Sequence, residues 1–455
     1  MNPIEAYHLM HNGTLALARA EAAGIRVDMD YLNAKIAHLE RRIARMEQKF
    51  RDSKFHKDWE ASQEKVPNPN SGLQLSKFLY ETKGLKPPKL TKGGRGSVDK
   101  EALTELNIPE LMDLLYTKKL MKIKTTYLEG FKKEQVDGWI HPFFNLHLVT
   151  TFRSSSDRPN FQNIPKRDKE AMKITRGALF PRKGHQLLEV DYGQLEVRIA
   201  YCYNKDPQLL HDILKGDMHT DMAKQIFMID DFDKHKPEHA LLRGAAKNGF
   251  VFPQFYGDYY KNCAEYLARE WGQLPRSRWK AGQGVSLNGA HLADHLIEKG
   301  IGTPQKFENH LKAIEQDFWE NRYKVYARWK ERQWRQYQKV GYVDSLTGFR
   351  CKGVLSRNDA TNYPIQGAAF HCLLWSLIQI DNLIQQKGWK SRIIGQIHDS
   401  VNLDVFPPEL DKLVKEIKRI TCVALPEAWE WIKVPLDISV DIAPVDCSWA
   451  KIKEL

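Results

Sequence analysis

The chain has 455 residues, with 69 Lys and Arg against 57 Asp and Glu, a formal charge of +12. Hydrophobic residues make up 42% and aromatics 11%, which excludes a disordered tail and allows two or three lobes with cores of their own. The cation excess fits a polyanionic partner such as nucleic acid, and fits equally a merely soluble basic protein.

The N-terminus, MNPIEAYHLM, is neither basic nor followed by an apolar run. No stretch reaches the roughly 18 consecutive apolar residues of a membrane helix, so a soluble, cytoplasmic protein without membrane contact is expected. Six scattered cysteines form no C-x-x-C pair, which argues against a disulfide framework or zinc site and for a reducing compartment.

In chain order, Asp30 can cap a helix on which Leu32, Ile36, Leu39, Ile43, Met46 and Phe50 form one apolar stripe. A second helix, roughly 109–130, carries Lys118, Lys119, Lys122 and Lys124. Between them, KPPK (86–89) and KGGRGS (92–97) read as mobile, positive loops with bare backbone N–H groups. The pair makes either a basic-tipped clamp for a duplex or a solvated helical hairpin. From about 205 to 340 the pattern is mostly helical, and RWKERQWRQYQK (328–339) interleaves basic and aromatic residues as single-strand binders do. Strands are expected at 185–192, 391–405 and 434–442.

The first of these strands ends LLEVDYGQLEVR, with Asp191 at the end of an apolar run. The second reads as a hairpin with His398-Asp399 at its turn. Two carboxylates brought together repel unless a cation joins them, and hard oxygen ligands suit Mg²⁺ shared with phosphates. The alternative is that two residues more than 200 positions apart never meet. Arg243 and Lys247, at i and i+4, put two cations on one helix face where they can grip a triphosphate.

With RSSSDRPNFQNIP (153–165), DYGQLEVR (191–198), R-x-x-x-K…YG (243–257), NYPIQG (362–367) and IHD (397–399) in order, the chain resembles the family A DNA polymerases. That group includes bacterial DNA polymerase I and many bacteriophage replicases. The resemblance covers nearly the whole chain. It implies an α+β right hand: an antiparallel-sheet palm (1–30, 131–204 and 341–455), a helical thumb (31–130) and helical fingers (205–340). It implies template-directed extension of a primer by deoxynucleoside triphosphates in DNA replication, here expected in a bacteriophage setting.

Residue by residue, the resemblance implies that Asp191, Asp399 and the carbonyl of Tyr192 hold two Mg²⁺ ions. Arg243, Lys247 and His219 would bind the triphosphate, Lys247 also acting in catalysis. Glu196, with Gln194 beside it, would serve the incoming sugar and block a 2′-OH. Phe252 would pack on that sugar, and Tyr256 would stack near the templating base. Arg153, Gln162, Asn163, Asn362, Gln366 and His398 would bind primer–template DNA, several by testing minor-groove acceptors. A monomer is expected, with separate exonuclease, helicase or primase proteins as candidate partners, because the polymerase region fills the chain and no proofreading or 5′-nuclease domain is expected upstream.

Three further departures stand out. Ser400 replaces the family's usual Glu, and Thr151-Phe152-Arg153 replaces Thr-Gly-Arg. One extra residue lies between Lys247 and Tyr256, so a bulge or kink is expected there. Counting back from Tyr256 puts Phe252 at the sugar, whereas the other count leaves Phe250 as the candidate. The rival readings are a single-subunit RNA polymerase, which Glu196 opposes, and an inactive duplex-binding clamp, which the retained Asp191, Asp399, Arg243 and Lys247 oppose.

Overall fold

The computed structural model describes residues 2–271, 285–287 and 289–455. The site depends on a five-stranded antiparallel sheet in the order Arg392–Ile397, Ser400–Val405, Gln186–Tyr192, Ile438–Ile442, Lys453–Glu454. Gln186–Tyr192 is buried throughout except at Asp191. Its register pairs Val401 with Val190 and Ser400 with Asp191. The turn between the first two strands is closed by His398 in the left-handed region (φ 49°), a conformation that short hairpin turns demand. The third expected strand is shorter than predicted and begins at Ile438.

Behind the sheet runs the 31-residue helix Arg357–Lys387, started by a Ser356/Asp359 capping box. By length and composition this helix could cross a membrane, which the sequence reading did not foresee. However, 78% of its most apolar window is buried inside the protein, as for a core helix. Helix Pro3–Ala23 packs along it, and the following strand Ile25–Val27 joins Trp139–Ile140 and Leu179–Phe180 in a separate three-stranded sheet.

Helix Met29–Asp52 is capped by Asp28 and not by Asp30, which sits in the first turn and favours the helix dipole. Leu32, Ile36, Leu39, Ile43 and Phe50 are buried on its inner stripe. Its partner, Pro109–Lys122, continues through a π-turned segment into Glu129–Glu134. The tip between them is not bare loop. It has its own core of Phe50, Phe55, Trp59, Phe78, Leu79 and Leu111. The 89–97 segment folds back on itself, with Thr91 N–H donating to the Arg95 carbonyl (2.7 Å) and Ser97 N–H to the Lys89 carbonyl (2.8 Å). The Lys89 amine is paired with Asp99 and Glu101.

Residues 207–340 are predominantly helical among the described positions. The basic–aromatic stretch 328–339 lies within helix Lys324–Val340, and its aromatics turn inward. Trp329 is buried, Trp334 and Tyr337 pack on a small core with Val343 and Leu355, and Lys330 is drawn into the interior. A single-strand-binding comb is therefore not what this stretch forms; only Arg328, Arg332, Arg335 and Lys339 remain toward its outer face.

Leu39 has no exposed surface, so Leu39→Ala should destabilise the chain by about 2–5 kcal/mol. The exposed neighbour Arg41→Ala should stay within about 0.5 kcal/mol of the parent. Urea unfolding of both variants followed by circular dichroism checks the difference.

Candidate active site

The sheet register puts Asp191 at the end of one strand and Asp399 at the turn leading into its neighbour. The Tyr192 N–H donates to the Asp399 carbonyl (3.1 Å), which locks the two strand ends together. Burial pushes the Asp399 carboxyl up to about 7; Glu196 adds repulsion, Arg153 opposes it, and Asp191 adds a smaller repulsion. Burial likewise raises Asp191. Among the described residues no cluster of three His, Cys, Asp or Glu side chains forms. A divalent cation here would therefore be held by two carboxylates and main-chain oxygen, its shell completed by substrate phosphate and water. Two half-buried, hard-oxygen carboxylates held above their usual proton affinity fit such an ion.

Beside the pair, Gln194 takes the left-handed conformation (φ 53°) and starts helix Leu195–Asn204. Glu196 lies in that helix's first turn. Its carboxylate accepts from Arg153 Nη1 (3.2 Å) and from the Tyr256 hydroxyl. Gln194, Glu196, Phe252, Tyr256, Gln366 and Asp399 line one apolar-walled pocket. Arg153 and Tyr256 thus engage Glu196, and all three also line the long cleft that holds Asp191 and Asp399.

Across the cleft, helix Pro237–Ala246 passes through a π-turned segment, Lys247–Val251, into Phe252–Tyr256. This is the extra residue read from the sequence. The wider turn buries Phe250 completely against Phe318 (5.5 Å between centroids) and brings Phe252 to the pocket, four residues before Tyr256. The Lys247 amine lies 5.2 Å above the Phe252 ring. His219 is buried, and both its ring nitrogens are unpartnered among the described residues. Burial, then Lys247 and Arg243, hold it down to about 4. A buried imidazole without a partner beside two cations is a site short of an anion. Arg243 itself is not free. It forms a two-toothed bridge to Asp217 (2.9 Å at each nitrogen). Burial works against Asp217's charge, yet hydrogen bonds from Arg243 and Thr220 bring it down to about 2.

The remaining predicted residues divide. Asn163 and His398 line the long cleft that also holds Asp191, Asp399 and, from the facing helix, Lys118, Lys119 and Lys122. Gln162 lines it too, but its amide already donates to Ser154 Oγ (2.8 Å) and Gln396 Oε1 (2.7 Å). Asn362 donates to the Tyr256 carbonyl (2.7 Å), so it clasps the neighbouring helix end. Gly367 is required sterically, since a Cβ there would stand 2.5 Å from the Thr151 carbonyl oxygen. Phe152, where the family pattern has Gly, holds φ at 57° and stacks on Phe349 at 4.8 Å. That strained backbone costs about 1–2 kcal/mol, which the ring contact offsets in part.

Sequence reasoning missed the charge behind Asp191. Glu189, two residues earlier and buried, lies directly opposite Asp441. Lys166 (2.6 Å) and Arg176 (3.3 Å) neutralise it, and the Lys166 amine also stands 3.9 Å from Asp191. The visible signal was a carboxylate inside an otherwise apolar strand.

Residues 29–273 and 307–450 match the sequence profile of DNA polymerase family A. The chain belongs to this family. It is 25% identical over 96% of its length to DNA polymerase I of Chloroflexus aurantiacus, of which it covers 42%. The thermostable DNA polymerase I of Thermus aquaticus is 26% identical over 96% of this chain and 47% of that protein, and the Caldicellulosiruptor bescii enzyme 29% over 93% and 45%. The chain thus spans about half the length of the curated relatives it matches. Among solved structures, the POL domain of Pol1 from M. smegmatis, in complex with DNA primer-template and dNTP, superposes with a TM-score of 0.75. That match has 25% identity and covers 97% of this chain and 70% of the other.

Arg176→Met should cost about 3–5 kcal/mol, because it leaves Glu189 buried with only the half-exposed Lys166. Adding Glu189→Leu should recover most of that loss. Denaturant midpoints of the single and double variants measure both.

Proposed function

We propose that the chain is a template-directed DNA polymerase that extends a primer 3′-OH with deoxynucleoside triphosphates. The observation that carries this reading is the pairing of Asp191 and Asp399 at one sheet end, across a cleft from the anion-poor cluster of His219 and Lys247. The primer-template and dNTP named for the solved Pol1 domain are carried to this chain on that basis. The setting we propose is DNA replication.

Asp191, Asp399 and the Tyr192 carbonyl would hold two Mg²⁺ ions. Bound there, the ions supply the positive charge that a phosphoryl transfer needs at its attacking and leaving oxygens. The protein's own part is placement. Lys247 and the neutral His219 would take the β- and γ-phosphates by charge and N–H donation. Arg243, held by Asp217, keeps a fixed charge near them. Phe252 would lie flat against the sugar, and Glu196 would fill the space of a 2′-OH. Tyr256 would release Glu196 when its ring meets the templating pair. Arg153, Gln366 and His398 would then face the minor groove, where N3 and O2 acceptors recur in every Watson–Crick pair. Lys118 and Lys122 would contact backbone phosphates, a sequence-independent term that falls with salt.

Primer extension on a defined template with Mg²⁺, run separately with deoxy- and ribonucleotides, tests the reading. Extension with deoxynucleotides is expected. Asp191→Ala or Asp399→Ala should lower it at least about 1,000-fold while primer–template affinity changes by only about a few-fold, since affinity comes mainly from Lys and Arg contacts. Near-parental extension by either variant would overturn the metal-pair assignment.

Phe252 has no hydroxyl to replace the hydrogen bond that a dideoxynucleotide lacks. The parent should therefore reject dideoxynucleotides by about tenfold to a few hundredfold. Phe252→Tyr should erase most of that preference, whereas Phe250→Tyr, buried against Phe318, should not. Competition of dideoxy- against deoxynucleotide at one template position measures all three proteins.

A further inference from the structure

The last carbonyls of a helix have no partner within it. At the end of Phe252–Tyr256 the Pro253 carbonyl is taken by the Asp258 N–H (2.9 Å), and each of the three that follow by a side chain from elsewhere. The Lys330 amine donates to the carbonyls of Gln254 and Phe255, both at 3.2 Å. Asn362 takes that of Tyr256 (2.7 Å), and Asn358 that of Gly257 (3.0 Å). The two asparagines come from the core helix Arg357–Lys387, but Lys330 comes from helix Lys324–Val340 on the other side.

The amine lies 4.0 Å above the Trp319 ring and 5.1 Å from that of Tyr326. Around it, Gln254 is buried and fully used. Its Nε2 donates to Glu315 Oε2 (2.5 Å), and its Oε1 accepts from Trp319 Nε1 (2.7 Å). Among the described residues no carboxylate bonds the amine directly. A buried ammonium is costly, and an apolar side chain of the same length would fill this aromatic slot at lower cost. What the ammonium supplies instead is a positive cap at the negative end of a short helix. That helix carries Phe252 and Tyr256 on its pocket face.

We propose that Lys330 is a positioning residue for the incoming nucleotide: by capping the Phe252–Tyr256 helix from behind, it sets where Phe252 and Tyr256 stand against Glu196. This role rests on the polymerase reading. The charged groups facing Lys330 are Glu315 from helix Pro304–Asp317 and Arg357 from the start of the core helix. Burial first, then Arg357, lowers the amine to about 7, with Glu315 opposing. The cap therefore carries full charge only below neutral pH.

The test compares the parent with Lys330→Met and Lys330→Arg in single-nucleotide primer extension at pH 6.5 and 8.5. At pH 6.5 Lys330→Met should raise the nucleotide KM about tenfold, the scale of a lost charged hydrogen bond, with kcat changed less than about twofold. At pH 8.5 the gap should narrow, because the parent's amine has lost its proton. Lys330→Arg, which keeps the charge, should restore part of the difference at both pH values. Amide hydrogen exchange provides a readout free of activity: Gly257 and Asp258, whose N–H groups close the helix end on Gln254 and Pro253, should exchange faster in Lys330→Met. Thermal unfolding guards against a misfolded variant. A lysine with a lowered folded pKa subtracts stability fully below about pH 7 and progressively less up to the usual lysine range, so Lys330→Met should melt above the parent at pH 6.5. A parent that extends no primer overturns the polymerase reading. A parent that extends normally while Lys330→Met keeps its nucleotide KM and its exchange rates overturns the role of Lys330 alone.

Discussion

Strand register governs this molecule. Ser400 opposite Asp191 and Val401 opposite Val190 put the His398-Asp399 turn at the end of the strand that Asp191 closes. A slip of one residue would exchange the two faces of the strand and send Asp191 to the side now filled by its buried neighbours. Leu187, Leu188 and Val190, all buried, make such a slip expensive. Glu189 adds a second lock, since it fits only where Lys166 and Arg176 converge on it. The carboxylate pair is therefore a product of the core and needs no loop to hold it.

Electrostatics follow from that placement. On the sheet side, burial and neighbouring carboxylates, Glu189 for Asp191 and Glu196 for Asp399, raise the affinity of the two aspartates for protons, and hence for any cation offered. On the helical side, burial lowers Lys247 and His219 and leaves His219 without a hydrogen-bond partner among the described residues. Each half is unfavourable alone. A ligand that is anionic at one end and brings cations to the other relieves both, which is the charge pattern of a nucleoside triphosphate with its metal ions. Arg243 belongs to the same balance but is restrained by Asp217, a partner at the cap of helix Met218–Phe227.

Much of this was legible in the sequence. The strands bearing Asp191 and Asp399 announced themselves by apolar runs that end on a carboxylate. The extra residue in the 243–257 helix was visible because counts from its two ends disagreed by one, and the wider turn at Lys247–Val251 absorbs it. What stayed hidden were partnerships across long sequence distances. Nothing local marks Asp217 as the partner of Arg243, Lys166 as that of Glu189, or Tyr256 as a donor to Glu196. The stretch 328–339 misled for a related reason. Alternating cations and aromatics look alike whether the aromatics meet a nucleic acid or a core, and only the packing of Trp329, Trp334 and Tyr337 decides it. The tip at 89–97 misled because glycine and lysine hide a backbone that bonds to itself.

Ser400 fits the same charge economy. Where relatives of this type place a glutamate after the His-Asp turn, this chain has a buried hydroxyl donating to the Ile397 carbonyl (3.0 Å). Its neighbour across the sheet is Asp191, and two residues back along that strand, on the same face, stands Glu189, itself opposite Asp441. Of the described cations near this row, Arg176 and Lys166 pair with Glu189, Lys166 also reaches Asp191 (3.9 Å), and Lys247 adds a weaker pull on Asp191. A further carboxylate at position 400 would face Asp191 directly, where like charges destabilise a strand pair. Glu189 has thus taken the acidic place on the neighbouring strand, and a neutral residue at 400 keeps the sheet end within what its own cations can balance. Asp191 and Asp399 then stand at the cleft beside Glu196, which Arg153 and the Tyr256 hydroxyl engage.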